Sequence, residues 1–421
     1  MIFQLTECRQ WLQRAESVNT THLEYSSVNL ASREFKTDPF PFYARLRAEL
    51  PVCRVTVPLM PGINEAWLVT RYDDVVIVLK DSRFAKSRLH ASKKPWLPSF
   101  AKPLERNMLD LDEPDHTRLR TLVHKAFTPA MVERLQERIQ EIADQLIDAV
   151  EQKGSMDLVR SYALLLPLTV IMELLGIPSQ DRDRFHRWSK AALRTPSPFN
   201  TLRALPAIWA FMRYLRQLVR RLRCTPQEGL LSALVRTEEA GDRLSEDELV
   251  AMTVLLLIAG HETTVNLISS GMLALLQHPD QLDLLRADPS LIKSATEELL
   301  RYTNPLETAT PRYTREDTTI AGVTIPCGAL VLAVIASANR DERQFDDPDR
   351  LDITREKNRH VAFGQGAHFC LGAPLARLEG QIAINTLLRR LQDVQLAVQV
   401  DSLRWRTSPV LRGPEALPVR F

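Results

Sequence analysis

Apolar residues recur at three- and four-residue spacing through the middle of the chain. The clearest examples are VERLQERIQEIADQLIDAVEQ, residues 132–152, and LPAIWAFMRYLRQLVRRLR, residues 205–223. This spacing places the apolar side chains on one face of a helix. The pattern predicts an almost wholly helical region that begins with DEPDHTRLRTLVHKAF, residues 112–127, and ends near residue 300.

Short strands are predicted on both sides of this helical region. VCRVTVP and AWLVTRY, between residues 52 and 72, alternate apolar and polar residues as paired strands do. TTIAGVTIPCGALVLAVIASA, residues 318–338, has β-type runs that Gly322, Pro326 and Gly328 break into hairpins. A short helix, PFPFYARLRAEL, precedes the first strands, and a last helix, PLARLEGQIAINTLLRRL, precedes a strand-and-turn tail.

These elements predict a mainly α chain of the α+β type, with a helix-rich core and small β-sheets near the N-terminus and the C-terminus. No internal repeat, low-complexity tract or linker-like stretch divides the sequence, so we expect a single domain over residues 1–421. We assign its parts as β-rich at roughly 50–80, roughly 310–340 and the C-terminal tail, and helical at roughly 110–305 and roughly 374–392.

Residues 84–107 interrupt the periodic pattern. The segment FAKSRLHASKKPWLPSFAKPLERN carries three prolines and many basic residues without apolar periodicity. Prolines at this density predict a long loop. Long loops inside compact domains are often functional.

Composition and charge exclude several classes of protein. Hydrophobic residues make up 45% and charged residues 25%, as in ordinary globular proteins, and the net charge of +2 argues against nucleic acid as a partner. Glu7, Arg9 and Arg14 interrupt the first apolar run, so we expect no signal peptide, no membrane anchor and a cytoplasmic protein. The five cysteines show no close metal-ligand spacing, which disfavours a disulfide framework or a zinc site.

One cysteine has a distinctive setting. In VAFGQGAHFCLGAPLARLE, Cys370 comes just before a helix whose first turn contains Pro374. Free N–H groups at a helix start stabilise a thiolate, which is a strong, soft metal ligand. Gly364 and Gly366 allow the backbone to turn tightly and to approach a flat ligand. The alternative is a buried structural cysteine beside a helix cap.

A second distinctive stretch is LLLIAGHETTVNLISSGMLALL, residues 255–276. It reads as a helix that is apolar almost all round, and therefore central, with Gly260, His261, Glu262, Thr263 and Thr264 in its middle. Buried polar groups are costly unless they have partners, and a glycine beside two threonines loosens the helical hydrogen bonding. The alternative is a polar face that meets solvent.

A third stretch, SATEELLRY, places Glu298 and Arg301 three residues apart on one helical face. That spacing allows a direct ion pair. Taken alone, this pattern is better explained by a solvated surface pair.

The three stretches together resemble the cytochrome P450 family of haem-thiolate monooxygenases. FGQGAHFCLG resembles the family's haem-binding loop F-x-x-G-x-x-x-C-x-G, AGHET its oxygen-activating helix, and E-x-x-R its conserved pair. The positions that carry the resemblance are Ala259, Gly260, Glu262, Thr263, Glu298, Arg301, Phe363, Gly366, Cys370 and Gly372. The similarity spans nearly the whole chain and implies the cytochrome P450 fold.

The resemblance implies a haem b cofactor with Cys370 as the iron ligand. The residues implied to contact the haem are His116, Arg120, Ala259, Gly260, Arg312, Phe363, Gly364, His368, Cys370 and Gly372. Four of them would hold the haem propionates, namely His116, Arg120, Arg312 and His368.

The resemblance also implies roles in catalysis and folding. Thr263 and Glu262 would be catalytic, delivering protons to dioxygen. Glu298 and Arg301 would be structural, forming a buried network with the segment FDDPDRLDITR through Arg350. Leu351 stands where the family often has phenylalanine.

The implied substrate is a lipophilic small molecule such as a polyketide or macrolide, a terpenoid or a fatty acyl chain, and hydroxylation is the expected reaction. By family topology the pocket would be lined by Leu89, Trp96, Leu97, Ile258, Ala259, Leu306, Thr308, Ala309, Val410 and Leu411, with Glu307 and Arg412 as polar exceptions. Electrons would come from a ferredoxin or flavodoxin with its reductase, and we expect a monomer. The residues expected to form a basic docking patch are Arg118, Lys125, Arg377, Arg389 and Arg390.

Three alternatives remain open at this point. A peroxygenase on the same scaffold would use hydrogen peroxide without a partner protein, but such members generally lack the acid and alcohol found here at Glu262 and Thr263. A non-catalytic haem protein would act as a sensor or recruitment module. A helical scaffold without haem would show no haem absorbance.

Overall fold

A computed structural model of the chain describes residues 29–60, 63–91, 106–181, 198–239 and 241–421. The helices dominate. Within these ranges they are α1 (Arg33–Thr37), α2 (Phe40–Glu49), α3 (Tyr72–Lys80), α4 (Asp115–Ala126), α5 (Pro129–Arg134), α6 (Gln136–Glu151), α7 (Leu165–Leu174), α8 (Pro198–Cys224), α9 (Leu230–Arg236), α10 (Glu246–Gln277), α11 (Pro279–Ala287), α12 (Ile292–Thr303), α13 (Ile335–Ala338) and α14 (Ala373–Arg390).

Helix α10 is the central element. It begins with a capping box in which the Ser245 hydroxyl accepts from the Glu248 N–H and the Glu248 carboxylate accepts from the Ser245 N–H. Its length and hydropathy would allow it to cross a membrane, but most of its apolar stretch is buried within the protein. It packs against α7, α8, α12 and α14. Its apolar surface is therefore covered by other helices.

The strands form two main sheets and two hairpins. Those of the described residues are β1 (Val52–Met60), β2 (Ile63–Val69), β3 (Phe84–Ala85), β4 (Ser155–Asp157), β5 (Glu238–Glu239), β6 (Asp242–Arg243), β7 (Arg312–Thr314), β8 (Thr318–Ile320), β9 (Val323–Ile325), β10 (Leu330–Ala333), β11 (Gln395–Leu396) and β12 (Pro418–Arg420). The larger sheet has the order β1-β2-β10-β7-β3, and the smaller has the order β11-β12-β4.

The larger sheet unites two segments that are far apart in sequence. β1 pairs antiparallel with β2, as the alternating pattern predicts, and β10 adds to β2 in parallel, with Val331 opposite Trp67. The hairpin of β8 and β9 is also as predicted. The sequence predicted separate β-regions. Their union places residues 305–312, which lead into β7, beside the C-terminal tail.

The largest hydrophobic core lies among the helices, where α6, α7, α8, α10, α12 and α14 contribute fully buried leucine, isoleucine and valine side chains. Two smaller clusters lie on the faces of the larger sheet. The fold is that of a helix-rich α+β protein, as the periodicity predicts.

Candidate functional site

A cavity of about 450 Å³ lies between the middle of α10 and the loop that precedes α14. Its lining is mostly apolar, and many of its residues come from α10, the segment after α12, the cysteine loop before α14, and the C-terminal tail. Cys370, Thr263 and Glu262 all line it. Two of the three distinctive sequence stretches thus bring their chemistry to one cavity, whereas Glu298 and Arg301 of the third do not line it.

The cysteine loop is held against the rest of the protein by close backbone contacts. Gly366 has φ of 72°, and a Cβ atom there would lie 2.9 Å from the carbonyl oxygen of Leu79. Only glycine fits this approach without displacing α3. The N–H of Cys370 donates to the carbonyl of Phe363 over 2.9 Å, which closes the loop and turns the cysteine toward the cavity.

The surroundings of the Cys370 sulfur affect its ionisation in two opposite ways. Burial raises the pKa of the thiol, whereas the N–H groups of Gly372 and Ala373 and the charges of Arg120 and Arg377 act to lower it. These donors are the free N–H groups at the start of α14. A bound metal cation would complete the stabilisation of the thiolate. The residue is therefore suited to ligate iron.

One end of the cavity gathers basic side chains. Arg120, Arg312 and His368 line it, and the ring of His116 lies against that of His368 with centroids 4.1 Å apart. Arg120 donates to the carbonyl of Phe369 over 2.8 Å, and Arg312 donates to the carbonyl of Phe84 over 3.3 Å. No carboxylate of the described residues forms a salt bridge with either arginine. We call these four side chains the cation cluster.

The arginines of the cation cluster have no carboxylate salt-bridge partner among the described residues. The two ring nitrogens of His116 and the Nε of Arg312 are buried without a hydrogen-bond partner. Burial, together with the neighbouring cations, lowers the pKa of His368 to about 2, and burial lowers the pKa of Arg312 to about 10. His368 is therefore neutral at neutral pH, and the positive charge of the cluster is that of Arg120 and Arg312. Buried charges and buried donors without partners are costly, so the cluster fits a ligand that brings carboxylates. The two propionates of a haem meet this requirement.

Helix α10 presents the predicted acid and alcohol. The Thr263 hydroxyl donates to the carbonyl of Ala259 over 3.1 Å, one turn earlier in the helix. Gly260 lies against α7, where a Cβ would be 3.1 Å from the Ile171 side chain. Ala259 and Gly260 also line the cavity, so the helix leaves space beside Thr263.

Glu262 is held by two basic side chains. It forms a short ion pair with Arg406 of the C-terminal tail, and its carboxylate lies 3.5 Å from Nε2 of His261. Burial would raise the pKa of Glu262, but His261 and Arg406 outweigh it and lower the pKa to about 2. The carboxylate is therefore ionised at neutral pH. Arg406 could not be predicted as its partner, because 144 residues separate the two in sequence.

Glu379 is a further cavity residue that sequence reasoning missed. It lies on α14, nine residues after Cys370, is 1% exposed, and neither carboxylate oxygen has a hydrogen-bond partner. Burial raises the pKa of Glu379 to about 8 although the Thr264 hydroxyl acts to lower it, so the group is mostly protonated at neutral pH. A glutamate on the apolar face of the predicted last helix is the signal that could have identified it.

Most of the expected pocket residues line the cavity. Those found there are Ile258, Ala259, Leu306, Ala309, Val410 and Leu411. Thr308 does not line it: its side chain is buried, and its hydroxyl donates to the carbonyl of Pro409 over 3.3 Å. Leu89 is also misplaced, since it is 76% exposed and outside the cavity. Trp96 and Leu97 fall outside the described residues.

Several residues line the cavity although no sequence pattern predicts them as cavity residues. They include Ile171 and Leu174 of α7, Leu230 of α9, and Met108 and Leu109 before α4. These positions look like ordinary core residues in the sequence. Only the packing of α7 and α9 against α10 brings them to the cavity.

The Glu298 and Arg301 pair is fully buried, so the surface alternative for it is wrong. Arg301 makes two hydrogen bonds of 2.7 Å to the Glu298 carboxylate and donates to the carbonyls of Asn339, Pro348 and Arg350.

The role expected of the Arg350 side chain is corrected by the structure. This side chain is exposed and only its carbonyl takes part, whereas Arg355 reaches Glu298 over 3.2 Å. A turn in the segment after Arg350 directs Arg355 inward. Leu351 is buried.

The predicted basic patch is largely neutralised. Arg118 pairs with Asp242 and Glu248, and Arg377 pairs with Glu297. Arg389 and Arg390 pair with carboxylates of α6, namely Asp144, Asp148 and Glu151. Lys125 is exposed. The four arginines of the expected patch thus have acidic partners within the protein.

A cavity with a thiol at a helix start, a carboxylate-binding cation cluster and an acid and alcohol on the facing helix defines a haem-thiolate oxidoreductase. The family model "Cytochrome P450" matches residues 51–404. Vitamin D(3) 25-hydroxylase of Pseudonocardia autotrophica is 48% identical over 395 residues, 93% of this chain and 96% of that protein. Cytochrome P450 monooxygenase PikC of Streptomyces venezuelae is 46% identical over 413 residues, 97% of each.

A solved structure agrees with this assignment. That of the bacillaene polyketide synthase cytochrome P450 PksS of Bacillus subtilis 168 superposes with a TM-score of 0.87 at 44% identity, covering 93% of this chain and 98% of that one. The chain belongs to the cytochrome P450 family. It has the fold of that family and is a monooxygenase with a haem-iron cofactor.

Proposed function

We propose that this enzyme binds haem b and inserts one oxygen atom, by default as a hydroxyl group, into a lipophilic small molecule. The observation that supports the proposal best is the meeting of Cys370, the cation cluster and the Glu262 and Thr263 pair in one cavity. Taken singly, each group could have a purely structural role. Their convergence on one space leaves a haem-thiolate site as the arrangement that uses all of them.

The residues that would hold the haem are Cys370 as the iron ligand and the cation cluster for the propionates. The unpartnered nitrogens of His116 and Arg312 provide donors for those carboxylates. Ala259 and Gly260, with short or absent side chains, would border the ring, as would Phe363, Gly364 and Gly372. When bound, the haem supplies the reductive activation of dioxygen.

The protein's own contribution to the chemistry is the control of protons. Thr263 would present its hydroxyl to the cavity after exchanging its present bond to the Ala259 carbonyl. Glu262 would carry protons between solvent and this hydroxyl. Because Arg406 and His261 hold its carboxylate ionised, Glu262 would take up a proton only when the Arg406 contact is broken. The ion pair would thus limit proton entry.

The substrate class follows from the walls of the cavity. The side chains of Ile258, Leu306, Val410 and Leu411 offer no charge, so the free energy of binding would come from apolar contact. The similar proteins named above include a vitamin D(3) hydroxylase and a cytochrome P450 of a polyketide synthase. We propose a polyketide or macrolide as substrate, with a terpenoid or a fatty acyl chain as further members of the same lipophilic class.

The electrons would come from a ferredoxin or flavodoxin and its reductase, with the enzyme acting as a cytoplasmic monomer. Cys53, Cys224 and Cys370 are free thiols, which suits a reducing compartment. Four arginines of the expected basic patch are paired with carboxylates of the protein itself. Docking of the ferredoxin or flavodoxin would therefore depend less on unpaired positive charge than the sequence suggests.

The experiment that tests this function has two steps. The reduced protein is first treated with carbon monoxide, and its difference spectrum must show the red-shifted band of a thiolate-ligated haem. Product formation from a library of lipophilic compounds is then measured with ferredoxin, with flavodoxin and with hydrogen peroxide alone. Oxygenated product that requires dioxygen and a redox partner supports the proposal. Full-rate turnover with peroxide alone would instead make the enzyme a peroxygenase, and a normal spectrum without any product would favour a sensor.

A further inference from the structure

A buried ion pair lies directly behind the apolar wall of the cavity. Nζ of Lys36, on α1, is 2.5 Å from a carboxylate oxygen of Glu307, and both side chains are 0% exposed. The other carboxylate oxygen accepts a hydrogen bond of 2.5 Å from the Tyr43 hydroxyl of α2. Two helices from the start of the described chain thus meet the segment that follows α12.

Arg412 adds a second cation to this pair. Its guanidinium lies over the rings of Trp405 and Phe40, 4.1 Å and 5.1 Å from their centroids, and donates to the carbonyls of Lys36 and Thr37. Such stacking is favourable when the cation is desolvated, as it is here. We name Lys36, Tyr43, Glu307 and Arg412 the clamp cluster. It connects the N-terminal helices with the C-terminal tail.

The clamp cluster alternates along the backbone with residues of the cavity wall. Leu306 lines the cavity, Glu307 points away from it, and Leu411 and Arg412 show the same alternation. Leu306 and Leu411 form an antiparallel bridge. On the same two segments, the N–H of Glu307 donates to the carbonyl of Val410 over 2.7 Å, and that of Arg412 donates to the carbonyl of Pro305 over 3.3 Å. Movement of a clamp side chain would therefore move the wall.

A buried ion pair is an expensive way to connect two segments. Removing two charges from water costs several kcal/mol for each ion, and well-packed apolar residues often stabilise a protein equally well. What the pair adds is geometric definition, because its hydrogen bonds require particular distances and directions. Here the side chains of Lys36 and Tyr43 converge on the Glu307 carboxylate, while Arg412 donates to backbone carbonyls of α1. Both wall segments are thus bound to the same N-terminal helices, which holds them at a defined spacing.

We propose that the clamp cluster is a positioning and specificity-determining network: by fixing the wall formed by Leu306, Ala309, Val410 and Leu411, it sets how a lipophilic molecule lies above the haem. This inference rests on the proposed function for its consequence in catalysis. The mechanical part, the coupling of the cluster to the wall, does not depend on haem. The residues of the cluster touch neither substrate nor cofactor, so they act through the wall.

The test compares three variants of the haem-loaded enzyme. Glu307→Gln removes the charge at constant shape, and Tyr43→Phe removes one hydrogen bond. Tyr162→Phe is the matched control, because Tyr162 is equally buried and its hydroxyl bonds the carbonyl of Ala383, away from the cavity. Two probes that ligate iron are titrated by absorbance: imidazole, which is too small to depend on the wall, and econazole, whose large apolar arms must contact it.

We expect the Kd of econazole to rise by about tenfold in Glu307→Gln and by about threefold in Tyr43→Phe, because displacement of a wall by a fraction of an ångström has effects of this order. The Kd of imidazole should change in neither variant, and Tyr162→Phe should resemble the parent with both probes. Hydrogen exchange of peptides covering residues 305–309 and 408–412 should be faster in the two clamp variants only.

An unchanged ratio of the two Kd values and unchanged exchange in folded clamp variants would overturn the proposal. If Glu307→Gln does not fold, the double variant Lys36→Met with Glu307→Gln replaces it, because it removes both charges of the pair. Tyr43→Phe then remains an independent test of the proposal. If imidazole produces no spectral shift in the parent, the proposed haem site has failed. The exchange measurement then still tests the clamp by itself.

Discussion

The two sides of the cavity carry opposite kinds of polar group. The cysteine side has Arg120, Arg312 and His368 without a carboxylate partner among the described residues, whereas the side formed by α10 and α14 has the carboxyl groups Glu262 and Glu379. On the cysteine side, the basic side chains are already positioned to bind an anionic ligand. The second side has no charge to offer a ligand, since one carboxylate is paired and the other is protonated.

The difference shows how the environment assigns roles to similar groups. Burial opposes ionisation of both glutamates, but Arg406 and His261 reverse its effect at Glu262, while nothing of comparable strength does so at Glu379. The same type of side chain is thus an anion at one position and a neutral acid at the other.

The largest effect is expected on the cysteine side. Cys370→Ser replaces a soft thiolate by a hydroxyl that binds iron weakly, so product formation should fall by about 1000-fold or more. The carbon monoxide difference spectrum should lose its red-shifted band. Cys53→Ser, at a buried cysteine outside the cavity, is the control and should retain both. Retention of the band and of turnover by Cys370→Ser would contradict the assignment of the iron ligand.

On the opposite side, Glu262→Gln removes the ionisable group but preserves its shape. Product formation should fall by about 100-fold, which is typical for loss of a proton-transfer residue, while haem content and the carbon monoxide spectrum stay unchanged. The rates of product formation and of electron consumption are to be measured together. Equal turnover by parent and variant would remove Glu262 from the proton path.

Glu379 allows the second side to be tested through stability. Its pKa is raised from 4.5 to about 8, so the folded state binds this proton more tightly than the unfolded state, and the stability it contributes is lost as the pH rises from 4.5 through 8. The free energy of unfolding should therefore fall across this window, by at most about 1.4 kcal/mol per pH unit.

Glu379→Gln should flatten this dependence, measured by urea unfolding at several pH values. Glu141→Gln is the control, because Glu141 is 60% exposed in its ion pair with Arg138 and should leave the slope unchanged. A slope that is identical in Glu379→Gln and the parent would show that the group is ionised or solvated in the folded protein.

The smallest effect is expected for a single member of the cation cluster. Arg312→Met should weaken haem binding by about tenfold, the loss of one charge-assisted hydrogen bond, as measured by haem transfer to a scavenger. The haem-free variant should be no less stable than the haem-free parent, because the substitution removes a charge whose burial is unfavourable. A clear loss of stability without haem would mean that Arg312 serves folding rather than the propionates.

Local chemistry was predicted well from the sequence. The helix of residues 255–276, the cysteine before a helix start and the ion pair three residues apart are all local patterns, and each has the predicted form. Helical periodicity and i,i+3 spacing determine such contacts whatever the surroundings. Even so, burial of the Glu298 and Arg301 pair could not be known from its spacing.

Errors arose where the predicted contact depended on a loop. Leu89 was expected in the pocket and is exposed, and the side chain of Arg355 takes the place expected for Arg350. Neither position has a periodic pattern that relates it to the site. A shift of a few residues in a turn reverses which side chain points inward, and the sequence contains no measure of that shift.

Three features could therefore be predicted from sequence alone: the helix-rich class, the position of the thiol, and the placement of the acid and the alcohol on one helix. These features depend on neighbours within about one helical turn. Only the tertiary structure decided that Arg406 holds Glu262, that Glu379 faces the cavity and that Lys36 meets Glu307 across 271 residues. Those contacts are set by the packing of whole helices and sheets, and their strength comes from the exclusion of water, which no spacing along the chain records.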